Sequence, residues 1–215
     1  MAINNFCEIY LIRHGETDSN AQGIIQGQTD VPLNAVGREQ AETLQKKLAA
    51  VIFSAIFSSD LSRARSTAEI VRGSRDLPIR ETKDLRERCL RQWETHKRTD
   101  LEAVVKEQGI LFSELSQEDL LKYKLPPGNI ESCAEIYQRF ALFIQTNAVS
   151  YLGKTILLSS HGGILKSVLY KKEHTMGSFW SVPNCSYLVL RAYADGSIEL
   201  VQKDGPKTTS HIPYP

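Results

Sequence analysis

Apolar residues follow two spacings along this chain, and the two alternate. Short unbroken runs at residues 9–12, 55–58 and 155–159 read as buried strands. Between them, apolar positions recur every three or four residues. Ala41, Leu44 and Leu48 share one face of a predicted helix that Asn34 caps and that runs to about Ala49. A second helix is predicted over 61–71, stopped by Gly73 and followed by a strand near Ile79. Residues 131–149 form a longer amphipathic pattern with Ile136, Phe140, Phe143 and Ile144 facing inward, and another helix is predicted to start near Gly162. Residues 187–193 and 197–201 read as a hairpin turning on Asp195-Gly196. Strand–helix alternation of this kind predicts α/β architecture. Residues 88–130 interrupt it with two short helices joined around Gly109 and ended by Pro126-Pro127-Gly128. That stretch is predicted to fold over the sheet as a cap. The polar, Pro-rich tail beyond Lys203 is predicted to be loose.

Composition narrows the class without naming a chemistry. The 215 residues suit one domain over 1–215, with the cap as an insertion. A formal charge of +1 gives no reason to expect nucleic acid or a membrane surface as partner. No apolar run approaches the roughly 18 residues of a membrane span. No secretory signal is read at the N-terminus. Cys7, Cys89, Cys133 and Cys185 lack metal-like or paired spacing, so they are expected as small apolar residues in a reducing cytoplasm.

The chemistry concentrates where the first strand ends. Arg13-His14-Gly15 places a guanidinium, an imidazole and a glycine at a strand terminus, where open α/β sheets bind ligands. Glycine lets backbone approach an anion, and arginine's planar fork matches phosphate oxygens. The histidine between them reads as a reactive group in a phosphate pocket. Ser160-His161-Gly162-Gly163 repeats the pattern after the strand at 155–159. His161 is therefore expected at the sheet's carboxyl edge beside His14, with the amino end of a helix at Gly162 adding its positive dipole. His96, His174 and His211 have no such context and are expected to be structural or exposed. Two histidines and a carboxylate could in principle hold zinc. Ligand spacing is lacking, however, and arginines beside His14 would repel a divalent cation, so neither a metal nor another cofactor is expected.

Arg13-His14-Gly15-Glu16-Thr17 resembles the signature of the histidine phosphatase superfamily, which includes the cofactor-dependent phosphoglycerate mutases. Asn20, Gln26-Gly27, Asp30, Pro32-Leu33, Gly37 and Gln40-Ala41 follow at family spacing. Ser58-Ser59-Asp60-Leu61-Ser62-Arg63 resembles the second arginine motif, Leu85-Arg86-Glu87 the acidic motif, and Ser160-His161-Gly162-Gly163 the second histidine motif. The resemblance runs from about Glu8 to Ser186 and places the chain in branch 1. It implies a three-layer α/β/α sandwich around a mostly parallel central sheet, with a small helical cap. It also implies that His14 becomes phosphorylated. Arg13, Arg63 and His161 would then hold the phosphoryl oxygens, with Asn20, Gln26, Gly27 and Gly162 lining the site. Glu87 would move protons to the leaving group and from water. Nearby arginines keep an imidazole neutral and nucleophilic, and a bound dianion favours a protonated carboxyl and an imidazolium at His161. Arg65 and a surface-paired Glu87 stand as the bland alternatives.

Departures from the family pattern fall outside the phosphate pocket. Ile24 stands where many relatives carry arginine, and only Trp93-Glu94 and Glu131-Ser132 survive of two further motifs. Residues 80–98 carry seven basic against four acidic side chains, a net +3 that either steers a small anion or forms a solvated face. The resulting expectation is a cytoplasmic phosphatase of small phosphorylated metabolites, for which a homodimer is admissible. A phosphoglycerate mutase is the nearest rival, although the interval before His161 looks short for one. A fructose-bisphosphatase-like sugar phosphatase, a protein phosphatase and a non-catalytic scaffold are the remaining alternatives.

Overall fold

The computed structural model describes residues 5–109, 115–173 and 179–209. In chain order the elements are β1 (Phe6–Arg13), α1 (Asp18–Ala21), α2 (Ala35–Lys47), β2 (Ala55–Ser59), α3 (Ser62–Arg72) and β3 (Ile79–Thr82). There follow α4 (Arg98–Glu107), α5 (Gln117–Lys122), α6 (Cys133–Asn147), β4 (Thr155–Ser160) and α7 (Gly162–Lys172). Strands β5 (Phe179–Ser181), β6 (Tyr187–Tyr193), β7 (Ile198–Asp204) and β8 (Lys207–Thr209) complete the described chain. The central sheet runs β3-β2-β4-β1-β6-β7, parallel from β3 to β1 and antiparallel beyond.

The central strands are apolar throughout because both faces of the sheet are covered. Ile9, Leu11, Ile156 and Leu158 pack with Ile136, Phe140, Phe143, Ile164, Leu165 and Val168 of α6 and α7. Ile12, Ile56 and Leu157, one residue out of phase, pack with Leu44, Leu48, Ala68 and Val71 on the α2–α3 side. This is the mixed sheet between two helical layers that the sequence implied. Local signals set the helix limits. Asn34 accepts the Gly37 amide at 2.8 Å, Ser132 and Glu135 form a capping box, and Gly73 ends α3 with φ +58°.

The stretch expected as a cap is anchored at two points. Residues 23–25 pair with 95–98 through Ile25 N to His96 O at 2.9 Å, Thr95 N to Ile25 O at 2.8 Å and Arg98 N to Gly23 O at 2.9 Å. Leu101, Val105, Leu120, Leu121 and Leu125 join the α6–α7 core. The tail departs from expectation. β7 continues to Asp204, and β8 pairs antiparallel with β5, so backbone pairing orders a segment whose composition reads as loose. Among the described residues no helix is long and apolar enough to cross a membrane. His174 and His211 lie outside the described residues, whereas His96 is exposed.

Strand register carries the fold to the site. Arg13 pairs with Ser160 across the parallel β1–β4 ladder, and His14 N donates to Ser160 O at 3.0 Å. The next residue on each chain, His14 and His161, therefore emerges at the same sheet edge. Arg63 follows β2 and Glu87 follows β3 at that edge. Four segments distant in sequence thus leave the carboxyl ends of four neighbouring parallel strands together.

Candidate active site

His14 is 2% exposed, and its Nδ1 lies 2.6 Å from the carbonyl oxygen of Gly15. A carbonyl only accepts, so Nδ1 carries the proton and Nε2 keeps its lone pair. Burial, then the charges of Arg63 and Arg13, hold the ring well below its usual 6.5, outweighing the Gly15 bond. At neutral pH it is an uncharged base with its free nitrogen fixed. The His161 ring stands beside it with centroids 5.1 Å apart. His161 is kept neutral by burial first, then by Arg63, His14, Arg13 and Arg139.

Both arginines are placed by backbone carbonyls. Arg63 is completely buried and donates to Gly27 O at 2.7 Å and Thr29 O at 2.8 Å. Arg13 donates to Val182 O, and burial lowers its pKa to about 10. Four buried nitrogens around His14 have no hydrogen-bond partner among the described residues: Arg13 Nε, Arg63 Nε and both ring nitrogens of His161. Buried polar groups are normally satisfied, so this cluster of orphan nitrogens beside one neutral histidine makes a candidate anion site. Gln26 is buried nearby in sequence, and its Oε1 is likewise unpartnered among the described residues. Arg65, the alternative to Arg63, is exposed and pairs with Glu69 and Glu81.

Glu87 is held at the mouth of helix α7. Its Oε1 and Oε2 accept the Gly163 amide at 3.0 and 3.1 Å, and Oε1 also accepts the Arg88 amide at 2.7 Å. The segment before it is clamped. Arg139 donates to Asp84 O at 2.6 Å and Arg86 O at 3.1 Å while gripping both Glu131 oxygens at 3.0 Å. Arg86 makes a two-pronged pair with Asp60 at 2.6 and 2.7 Å, tying the acidic motif to the second arginine motif. The retained Trp93-Glu94 is structural in the same sense. Glu94 accepts the amides of Gln28 and Leu90 and the Thr29 hydroxyl, holding the loop that carries Arg63's carbonyl partners. Gly27 has φ +50° and a Cβ there would meet Glu94 Oε1 at 2.3 Å, so only glycine fits.

Three contributors were not visible in the sequence. Asn184 donates from Nδ2 to His14 O at 3.0 Å and to Asn20 Oδ1 at 3.2 Å. Thr67, one helical turn beyond Arg63, accepts the Gly15 amide at 3.0 Å and donates to Arg63 O at 2.7 Å. Lys166 lies on α7 near Arg13 and Glu87. None belongs to a quoted motif. The near-contact of Gly15 with Gly37, where a Cβ would meet Gly37 O at 2.3 Å, is the structural reason for two of the glycines.

The site thus gathers a buried, oriented imidazole, two guanidiniums with buried Nε atoms and a second buried imidazole at the carboxyl edge of an α/β sheet. Residues 9–204 match the model of the histidine phosphatase superfamily (branch 1), and the chain belongs to that family. It is 31% identical over 219 residues to phosphoglycerate mutase-like protein 4 of Arabidopsis thaliana, covering 97% of this chain and 88% of that protein. It is 32% identical over 169 residues to the adenosylcobalamin/alpha-ribazole phosphatase of Escherichia coli (strain K12), covering 75% and 76%. A solved phosphoglycerate mutase from Bacillus anthracis str. Sterne superposes with a TM-score of 0.76 at 25% identity, over 94% of each chain.

Proposed function

We propose that the protein hydrolyses small-molecule phosphomonoesters through a phosphohistidine on His14. The observation that carries this reading is the fixed tautomer of His14, together with buried nitrogens on Arg13, Arg63 and His161 that lack partners among the described residues. In the first step Nε2 attacks phosphorus, the P–O bond to the substrate alcohol breaks, and Glu87 gives that oxygen its proton. Arg13, Arg63 and His161 hold the equatorial oxygens in place as charge shifts among them. In the second step water attacks the phosphohistidine, Glu87 takes the water's proton, and inorganic phosphate leaves with His14 neutral again. Asn20 adds a neutral donor through its amide nitrogen, since its Oδ1 is occupied by Thr17 N and Asn184.

Relatives of similar identity are named as a phosphatase and as phosphoglycerate mutase-like, so family membership alone does not separate the two outcomes. We favour hydrolysis because relatives at 31–32% identity over three quarters or more of this chain are named as phosphatases. The test is turnover of p-nitrophenyl phosphate by wild type and His14→Ala, with 3-phosphoglycerate plus bisphosphoglycerate as the second assay. Phosphate release that vanishes in the variant supports the reading. Predominant formation of 2-phosphoglycerate would replace it with the mutase.

A further inference from the structure

Packing requires a glycine at position 15, and glycine brings conformational freedom that the site cannot tolerate. A Cβ there would meet Gly37 O at 2.3 Å, yet a bare glycine leaves the peptide planes on either side of its α-carbon free to rotate. Both planes are held by contacts from elsewhere in the chain. The His14–Gly15 plane is held at its carbonyl by Asn184 Nδ2 at 3.0 Å and the Cys185 amide at 3.3 Å, and at its N–H by Thr67 Oγ1 at 3.0 Å. The Gly15–Glu16 plane carries the carbonyl that takes the His14 Nδ1 proton at 2.6 Å. At the other end of that plane the Glu16 amide donates to Gln40 Oε1 at 3.0 Å. In a planar trans peptide the C=O and N–H point opposite ways, so a bond that fixes one aims the other. Gln40 is half-buried on α2, one turn beyond Gly37. The start of that helix lies against the same backbone: a Cβ on Gly37 would meet Glu16 O at 2.1 Å, and Glu16 O accepts the Asn34 amide at 3.0 Å.

We infer that Gln40 is a positioning residue for His14: by fixing the Gly15–Glu16 peptide it aims the Gly15 carbonyl at Nδ1 and so selects the tautomer with Nε2 unprotonated. This rests on the reading of His14 as the nucleophile. A neutral imidazole can carry its proton on either nitrogen, and the hydrogen bond made by one decides which. With the proton on Nε2, the nitrogen proposed to attack phosphorus has no lone pair to give. Gln40 acts through the backbone, so its loss should alter which ring nitrogen is protonated while Arg13, Arg63 and His161 keep their places. The orientation of its amide is settled by its partner: Glu16 N donates, so the oxygen of Gln40 faces it. Glutamate offers the same oxygen, whereas leucine and alanine offer none. The inference gives a chemical role to the first residue of the Gln40-Ala41 segment, whose second residue, Ala41, is buried in the core.

The test is nuclear magnetic resonance on the full-length protein labelled with nitrogen-15 histidine, which reads the protonation of each ring nitrogen without turnover. His14→Ala identifies the His14 signals by their loss. Wild type at neutral pH should show a single neutral form protonated at Nδ1. Gln40→Leu and Gln40→Ala should show a measurable fraction protonated at Nε2. Their kcat/KM on p-nitrophenyl phosphate should fall about tenfold, the value of one hydrogen bond. Gln40→Glu should restore the single form and most of the rate, a rescue that a role in packing alone would not give. A mixed or Nε2-protonated His14 in wild type overturns the proposal whether or not any variant folds. So does an unmixed Nδ1 form in folded Gln40→Leu or Gln40→Ala, or a Gln40→Glu variant that behaves as they do. Failure of wild type to release phosphate from any ester would sink the phosphatase reading instead, and the protonation pattern would still stand or fall separately.

Discussion

A methyl group on Gly163 would sit 2.0 Å from Glu87 Oε1 and 3.1 Å from its Cδ. The atom it strikes is the tip of a flexible side chain, so the carboxylate moves and the helix stays. Glu87 then loses the amide contacts at 3.0 and 3.1 Å, worth about 1.5–3 kcal/mol for a bond to a charged group. Alanine in a helical turn returns up to about 1 kcal/mol relative to glycine. The net cost is about 0.5–2 kcal/mol, or a drop in Tm of a few degrees at roughly 2–4 °C per kcal/mol for this size. Activity should respond far more, because a displaced acid loses general catalysis worth about 100- to 10,000-fold. We expect Gly163→Ala to lower kcat on an alkyl phosphate about 100-fold or more. An aryl phosphate, whose leaving group departs without a proton, should lose much less, and Glu87→Gln should show the same split. Gly162→Ala is the internal comparison, since its Cβ meets Arg13 only at an ordinary 3.5 Å. Its loss should stay under about tenfold. Equal losses on both ester types in Gly163→Ala, or indistinguishable behaviour of the two alanine variants, would refute the placement of Glu87.

Three further outcomes follow from the same geometry. His14 and His161 are buried and neutral, well below the 6.5 of an unfolded chain. Their contribution is therefore whole above pH 6.5 and falls as pH drops through that value, because the unfolded chain takes up the protons. The slope is up to about 1.4 kcal/mol per pH unit for each ring, so denaturant midpoints of His161→Gln between pH 7.5 and 5.5 should fall less steeply than wild type. Parallel slopes would remove His161 from that role. Asn184→Ala leaves the His14 carbonyl and the Asn20 amide without a shared donor, and should lower kcat about tenfold with little change in Tm. Arg63→Ala removes an oxyanion donor and should cost about 100- to 1,000-fold in kcat, measured on p-nitrophenyl phosphate.

The strands and helices were legible because local chemistry agrees with the tertiary outcome. Asn34 and Gly73 limit their helices as their side chains dictate, and 155–159 lacks periodicity because it is buried on both faces. His14, Arg63, Glu87 and His161 come to one sheet edge because each lies in a quoted motif on the segment that follows a parallel strand, and register does the rest. What stayed hidden depends on partners distant in sequence. Asn184 acts through backbone and amide groups across the pocket, with no neighbouring pattern to mark it. β5 and β8 are short, and each is ordered only by pairing with the other.

Chemical quench during turnover tests the account at its centre. A single bond between phosphorus and the free imidazole nitrogen should accumulate or be trapped as an acid-labile, base-stable phosphoramidate, mapped by mass spectrometry to His14 and absent from His14→Ala. Sustained phosphate release by His14→Ala at the wild-type rate, with no such adduct on the native chain, would contradict it.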